Sequence, residues 1–450
     1  FLIRTIQMLF PNIRTERAEE PDNQLNLLET PNTSVDYLLE NLTDEEKRNN
    51  NPLFAELYSW YLNSPKYCTM TEKLRDAAFL CKPTDQISKS VAKALYGEVS
   101  PNGATRLERF SACAFAHFLK YGLEITERAE YEFRAMDMGN IIHQALEDFA
   151  AELHHRRLEW SDLADNERDE IADACLDKVA ADYGNTILQS SARNHYMIER
   201  TRRILRRTVW ALQEQLKNGQ FQPEGFEVSI GGGRIDRLDV MKEDDKVYVK
   251  IIDYKTGNTS FDLVSIYYGL QMQLVVYMDA AIQAEKKKHE GCEVRPAGIF
   301  YYNVKDPMLQ KELEDDLDEL NPEIFKKLKM NGLVMKDDHV IECLDKTTVS
   351  LPLSYTTKGT LRKGASVADE TQFALLDAYV KKKITDIRES IMGGNAEVAP
   401  YEMGNRNACT YCPYQGTCGF DRKIPGYEFR RLKQFADEEI WKAFAEEVED

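Results

Sequence analysis

The residues with the clearest capacity for chemistry are Asp236, Asp253 and Lys255. They lie between Gly232 and Gly257, a stretch that reads as two strands joined by an acidic turn. RIDRLDV, residues 234–240, sets apolar positions among charged ones, and VYVKIID, residues 247–253, is dense in β-branched side chains that suit a pleated strand. The turn, Lys242 to Lys246, is rich in Asp and Glu. Asp253 and Lys255 are two apart, so an extended chain sends both side chains from one face. Two carboxylates on adjacent strands hold a hard divalent cation through oxygen. Such a cation activates water and stabilises a departing oxygen, while a neighbouring ammonium orients that water or offsets charge on a phosphate. The pattern predicts a metal-dependent phosphodiesterase site. A D-x-K triplet also arises by chance on ordinary hairpins, so its neighbours must decide.

Upstream, MGNIIHQALEDFAAELHHRR reads as a helix beginning near Gly139, with an apolar stripe of Ile142, Ala145, Leu146, Phe149 and Leu153. His143 flanks that stripe and shares a face with Glu147. A structural histidine and a site histidine are both open readings there. Glu227 enters a short strand, FQPEGFEVSI, just before the hairpin. Downstream, SIYYGLQMQLVVYMDAAIQAEKK reads as one amphipathic helix, with Gln273 and Tyr277 four apart on one face. Ordinary packing would explain those two as well. GIFYYNV, residues 298–304, reads as a buried strand. Hairpin, helix and strand in that order describe an α/β core with a mixed sheet.

Two further groups carry chemical potential. Cys409, Cys412 and Cys418 have C-x2-C-x5-C spacing, and a tetrahedral thiolate site wants a fourth ligand. Zinc and an iron–sulfur cluster use the same ligands, and spacing does not separate them. Cys113 and the remaining cysteines read as small buried hydrophobes. In IERTRRILRRTVW, Arg200, Arg203 and Arg207 fall on one side of a helix. That face suits a DNA backbone, or it is a solvated surface paired with acids.

The rest of the chain positions these groups. Residues 1 to about 100 hold helical segments separated by polar breaks and carry no chemical motif. TRLERFSACAFAHFLKYGLEI reads as a helix, residues 161–220 as further helices, and 305–395 as charged helical or irregular chain without chemistry. At 450 residues the chain suffices for two or three domains. A net charge of −18 argues against an indiscriminate polyanion binder but leaves room for a local basic groove. No apolar run approaches the roughly 18–20 residues that span a bilayer. Nine cysteines, an odd number without a secretory signal, point to a reducing compartment, here the cytoplasm. The opening FLIRTIQMLF lacks an initiator Met and reads as a fragment. No G-x-x-x-x-G-K-[ST] loop is present, so no ATP hydrolysis by that route is expected.

Several of these motifs occur in one order that resembles the RecB-like nucleases of the PD-(D/E)xK superfamily, in the iron–sulfur branch that includes the B subunits of bacterial AddAB helicase–nucleases. The resemblance covers about 105–420. GNIIHQALE matches the family's histidine helix, FQPEGFE its glutamate strand, GRIDRLD the motif with the first aspartate, DYKTG the second aspartate and the lysine, and QMQLVVY its Q-L-x-x-Y helix. The resemblance implies a restriction-endonuclease-like mixed sheet flanked by helices. It implies Mg²⁺ held by Asp236, Asp253 and His143, with Glu227 beside them, Lys255 assisting the water, and Gln273 and Tyr277 positioning. LERFSACAFAHFLKYGL resembles the segment bearing a distant first cysteine, so Cys113 would join Cys409, Cys412 and Cys418 around a structural [4Fe–4S] cluster. The family reads C-P-F where this chain has Cys113-Ala114-Phe115. Residues 1–100 would be the tail of an upstream helicase-like domain, 101–424 the nuclease and 425–450 a helical tail. The implied activity is exonucleolytic resection of DNA break ends, on the 5′-ended strand, with an ATP-driven A subunit as partner. The rivals are an inactive DNA-binding scaffold subunit and a stand-alone CRISPR-associated iron–sulfur exonuclease.

Overall fold

β-Branched and aromatic residues build the centre of the protein. The computed structural model describes residues 2–10, 28, 30–82, 85–97, 103–128, 133, 135–183, 191–230, 233–308, 317–362 and 364–449. Six strands lie side by side in chain order: β1 (Gln222–Ile230), β2 (Gly233–Glu243), β3 (Lys246–Lys255), β4 (Glu293–Asn303), β5 (Asn331–Met335) and β6 (Val367–Ala368). β1, β2 and β3 are antiparallel neighbours, β3 pairs parallel with β4, β4 antiparallel with β5, and β5 parallel with β6. The β2–β3 turn is tight, since Glu243 faces Lys246 and Asp244 takes the left-handed conformation that such turns require. β3 is buried from Val247 to Tyr254, the run expected of a strand covered on both faces.

The chain divides into two compact units. The first, Phe1–Pro83 with Asp421–Tyr427, contains α1 (Leu2–Leu9), α2 (Pro31–Leu42), α3 (Glu45–Asn50), α4 (Pro52–Asn63) and α5 (Cys68–Ala78). Leu38, Leu42, Phe54 and Tyr61 form its small core. The second unit, Thr84–Phe420 with Glu428–Asp450, holds the sheet and the main core. Its helices begin with α6 (Lys89–Tyr96), α7 (Ala104–Ala112), α8 (Ala114–His117), α9 (Ala135–Arg156), α10 (Asp165–Asp182) and α11 (Ala192–Asn218). They continue with α12 (Leu263–Tyr267), α13 (Gln273–Lys288), α14 (Leu317–Lys327), α15 (Asp338–Leu344), α16 (Glu370–Met392), α17 (Gln415–Cys418) and α18 (Asp437–Glu449). α9, α10 and α11 pack together, and α9 reaches β1. α13 crosses over from β3 to β4 and packs on both. A small sheet of β7 (Tyr401–Met403), β8 (Arg406–Asn407) and β9 (Arg430–Arg431) sits near the C-terminal cysteines. No helix of the described residues is long and apolar enough to cross a membrane.

Three elements differ from expectation. The helix read through 105–125 breaks at Cys113, whose φ of −165° and ψ of 116° are extended. The helix read through 265–287 is two, α12 and α13, separated by a turn in which Gly269 has φ +72°. Both breaks escape a periodicity argument because apolar residues continue across them. The stretch 305–395 supplies two sheet strands, β5 and β6, of five and two residues, too short to announce themselves.

Besides Asp236 and Asp253 at its end, the hairpin buries three charged residues in its body. Arg237 and Asp239 are fully buried, and Lys250 is nearly so. Asp239 accepts two hydrogen bonds from Arg237, at 2.6 and 2.9 Å, and lies 2.6 Å from Lys250 Nζ. The Arg237 guanidinium also sits over the Trp160 and Phe226 rings. One carboxylate thus serves two cations in the low-dielectric centre of the sheet. Removing it leaves both uncompensated, whereas removing one cation leaves a pair. Asp239→Ala is expected to destabilise the protein by about 3–5 kcal/mol in urea unfolding. A loss below about 1 kcal/mol, the scale of a surface ion pair, would contradict this reading.

Candidate active site

The hairpin register decides which carboxylates meet. Arg237 stands opposite Ile252, which brings Asp236 to the end of β3, where its Oδ2 accepts the Tyr254 N–H at 2.7 Å. Asp253 is 1% exposed and Asp236 8%, so both are desolvated at the sheet's end. Glu227 arrives from β1, where Phe226 faces Arg237 and Val228 faces Ile235, leaving Glu227 beside Asp236. Glu227 has φ +48°, a left-handed conformation that a glutamate rarely adopts and that costs of order 1–3 kcal/mol. Its carboxylate lies 3.4 Å from His143 Nδ1 and 3.3 Å from Arg234 Nε.

α9 delivers His143. Its Nε2–H donates to the Tyr254 carbonyl at 3.1 Å, which fixes the tautomer, and Nδ1 lies 3.4 Å from Glu227 Oε1 and 3.5 Å from Asp236 Oδ2. Ligand atoms of His143, Glu227 and Asp236 all lie within 4.8 Å of one another. Among the described residues no other trio of His, Cys, Asp or Glu is so close. An imidazole nitrogen and two carboxylate oxygens suit a divalent cation, with Asp253 alongside.

Lys255 lies 2.5 Å from Asp253 Oδ2 and donates to Gln273 Oε1 at 3.2 Å. The Gln273 amide in turn donates to Asp253 Oδ1 at 2.9 Å and to Tyr277 Oη at 3.0 Å. Gln273 therefore bridges the aspartate and the lysine. Tyr277 stands behind it and does not line the cleft. Gly233 explains that packing, since a Cβ there would lie 2.8 Å from the Tyr277 hydroxyl oxygen. The cleft has a volume of about 530 Å³ and is lined by His143, Glu227, Asp236, Asp253, Lys255 and Gln273, among others. Arg234 and Glu147 also line it. Sequence reasoning misses both as site residues, although Arg234 lies two before Asp236 on the same strand and Glu147 one helical turn from His143.

The electrostatics follow from crowding. Burial, and then the charge of Asp236, push the Asp253 carboxyl up to about 7, against the pull of Lys255 and His143. Burial opposes a charged His143, but hydrogen bonds and charge from Asp236 and Glu227 outweigh it and hold the imidazolium up to about 10. Burial likewise opposes the Lys255 charge, yet Asp253, Asp236 and Glu108 raise its pKa, so it is an ammonium.

The four cysteines are less closely gathered than the acidic site. Burial, and then Cys113, Cys412 and Cys418, push the Cys409 thiol up to about 11. Cys113 occupies the break between α7 and α8, where burial raises its pKa and the amides of Ala116, Phe115 and Ala399 oppose the rise. No three of these cysteine sulfurs lie within 4.8 Å of one another. The arginine helix is split in use. Arg202 and Arg206 pair with Asp177 and Asp173 of α10. Arg203 is exposed, with Asp306 3.7 Å away, and Arg207 donates to Asn321 at 3.2 Å and stacks over Trp210. Both line a 310 Å³ groove that Asp165, Asp169 and Asp306 share.

Metal binding must compete with protons here. A cation needs ionised Asp253 and a proton-free His143 Nδ1, and both groups take up protons as pH falls. Apparent divalent-cation affinity is expected to drop at least about tenfold between pH 8 and pH 6, from the Asp253 titration alone. Calorimetry in buffers of different ionisation enthalpy is expected to record proton release on binding, larger at pH 6.5 than at pH 8. An affinity flat across that range would contradict the assignment.

Comparison with known proteins agrees with this geometry. Residues 103–419 match the family model described as the PD-(D/E)XK nuclease superfamily. The chain is 38% identical over 474 residues to the B subunit of the ATP-dependent helicase/deoxyribonuclease of Lachnoclostridium phytofermentans, covering 100% of this chain and 40% of that protein. The same-named protein of Alkaliphilus metalliredigens is 33% identical, over 99% of this chain and 41% of its own length. The chain thus spans about two fifths of these curated relatives. The mixed sheet, with its helices and its acidic edge, is a restriction-endonuclease-like core, and the chain belongs to the PD-(D/E)XK nuclease superfamily.

Proposed function

We propose that this chain is the deoxyribonuclease module of an ATP-dependent helicase–nuclease that resects DNA ends for recombinational repair. The observation that carries this reading is the meeting of His143, Glu227 and Asp236 within 4.8 Å, beside Asp253 and Lys255. Asp236, Asp253 and His143 would hold Mg²⁺, as the resemblance implies, with Glu227, whose carboxylate comes within 4.8 Å of the His143 and Asp236 ligand atoms, as a further ligand. When bound, the metal supplies an activated water and charge for the departing oxygen. The chain's own residues do the rest. Gln273 holds the Asp253 carboxylate and the Lys255 ammonium in contact. Lys255, kept charged, offers donors to a phosphate oxygen or to the water. Tyr277 fixes the Gln273 amide from behind. The names of the relatives support DNA as the substrate and a partner subunit within an ATP-dependent complex; exonucleolytic action on the 5′-ended strand is proposed from the motif resemblance alone. Retention of Asp236, Asp253 and Lys255 in one cleft favours an active subunit over a scaffold.

We further propose that Cys113, Cys409, Cys412 and Cys418 hold a [4Fe–4S] cluster. Zinc, with bonds of about 2.3 Å, draws its sulfurs to roughly 3.8 Å from one another. No three of the four sulfurs come within 4.8 Å of one another here, so the proposal of a cluster rests on the order and spacing of the cysteines in the sequence. Arg203 and Arg207 are proposed phosphate contacts.

Asp253→Ala and Lys255→Ala are each expected to abolish Mg²⁺-dependent cleavage of end-labelled single-stranded DNA, leaving DNA affinity and Tm nearly unchanged. Near-normal cleavage by both variants would remove the assignment. Anaerobically purified protein is expected to be brown, with broad absorbance near about 400 nm that closed-shell zinc lacks. Cys113→Ala should lose that colour as fully as Cys412→Ala, while Cys175→Ala keeps it. Stoichiometric zinc without iron would refute the cluster. Arg203→Ala with Arg207→Ala should lower the log–log salt slope of single-strand binding by about 0.7 per lost contact, and an unchanged slope returns these arginines to a surface role.

A further inference from the structure

One acid reaches the site from far away in sequence. Glu108, on α7, accepts the backbone N–H of Met272 at 2.6 Å and of Gln273 at 2.9 Å through a single oxygen, Oε1. These amides belong to the start of α13, where an α-helix leaves its first N–H groups without partners inside the helix. Met272 occupies the N-cap position and has no side chain able to accept them. The capping carboxylate therefore comes from another helix, and its negative charge suits the positive end of α13.

The residue capped is the one that bridges the site. Gln273 is the first residue of α13, and its amide ties Asp253 to Lys255 and Tyr277. With its backbone N–H pinned, the Gln273 side chain starts from a fixed point. α7 grips the same turn a second time. Gly269 has φ +72°, and a Cβ there would lie 2.6 Å from the Ser111 hydroxyl, one turn along α7 from Glu108. Glu108 also contributes to the field that keeps Lys255 charged, while burial pushes its own carboxyl up against the pull of the two amides.

We propose that Glu108 is a positioning residue of the nuclease site, its carboxylate capping α13 so that Gln273 is held against Asp253 and Lys255. The inference rests on the nuclease reading above. It specifies geometry as the means: an acceptor of glutamate length at this point suffices, and a shorter one does not.

The test uses the full chain with Glu108→Ala, Glu108→Asp and Glu108→Gln, each also combined with Gln273→Ala. Glu108→Ala and Glu108→Asp are expected to lower kcat at saturating Mg²⁺ about tenfold, with KM for single-stranded DNA unchanged. Glu108→Gln, which keeps the reach and an acceptor oxygen, should stay within about threefold of the parent. In the Gln273→Ala background, Glu108→Ala should add less than about twofold, because the residue it acts through is gone. Amide exchange of the 270–277 segment should quicken in Glu108→Ala and Glu108→Asp and stay slow in Glu108→Gln. Additive losses with Gln273→Ala, or full activity in Glu108→Asp, would overturn the proposal. If the parent chain cleaves no DNA, the nuclease reading fails, and the exchange measurement still decides whether Glu108 caps α13.

Discussion

Three carboxylates converge at one end of the hairpin, and the site is arranged around their mutual repulsion. Glu227, Asp236 and Asp253 come from three adjacent strands into a desolvated cleft. Two like charges about 4 Å apart repel by roughly 4 kcal/mol at the effective dielectric of a protein surface, and more when buried. Without a cation the protein answers with protons and its own cations. Asp253 moves toward neutrality near 7, His143 keeps its proton, and Lys255 closes on Asp253. A divalent cation would replace that internal compensation, which is why proton release and metal affinity belong to one equilibrium.

The hairpin that bears this charge is held from within. Asp239, Arg237 and Lys250 form a compact ion group in the body of β2 and β3. Arg237 and Asp236 are sequence neighbours, so strand alternation sends one inward and the other to the cleft. Registry fixed by the buried group is registry fixed at Asp236 and Asp253 too.

Much of this is legible in the residues. Asp236, Asp253 and Lys255 stand out because a two-residue period places them with no knowledge of the rest of the fold. His143, Glu227, Gln273 and Tyr277 follow from ordered motifs, and the structure brings them to the same cleft or just behind it. What escapes depends on non-local geometry. The breaks at Cys113 and Gly269 interrupt unbroken apolar patterns. β5 and β6 are short and gain their stability from pairing rather than composition. Glu108 acts on amides 164 and 165 positions away, a relation that no local pattern encodes. On the arginine helix Arg202 and Arg206 pair with aspartates of α10, and Arg203 and Arg207 line, together with Arg206, a groove that acids share.

The central claim is that the carboxylates gather to hold a catalytic cation. A crystal of the full chain soaked in Mn²⁺, with diffraction recorded at the manganese edge, tests it most directly. The account predicts an anomalous peak bounded by Asp236, Asp253 and His143 Nδ1, with Lys255 released from its 2.5 Å contact with Asp253 and turned toward the open cleft. An empty cleft at saturating Mn²⁺, with that ion pair intact, would contradict it.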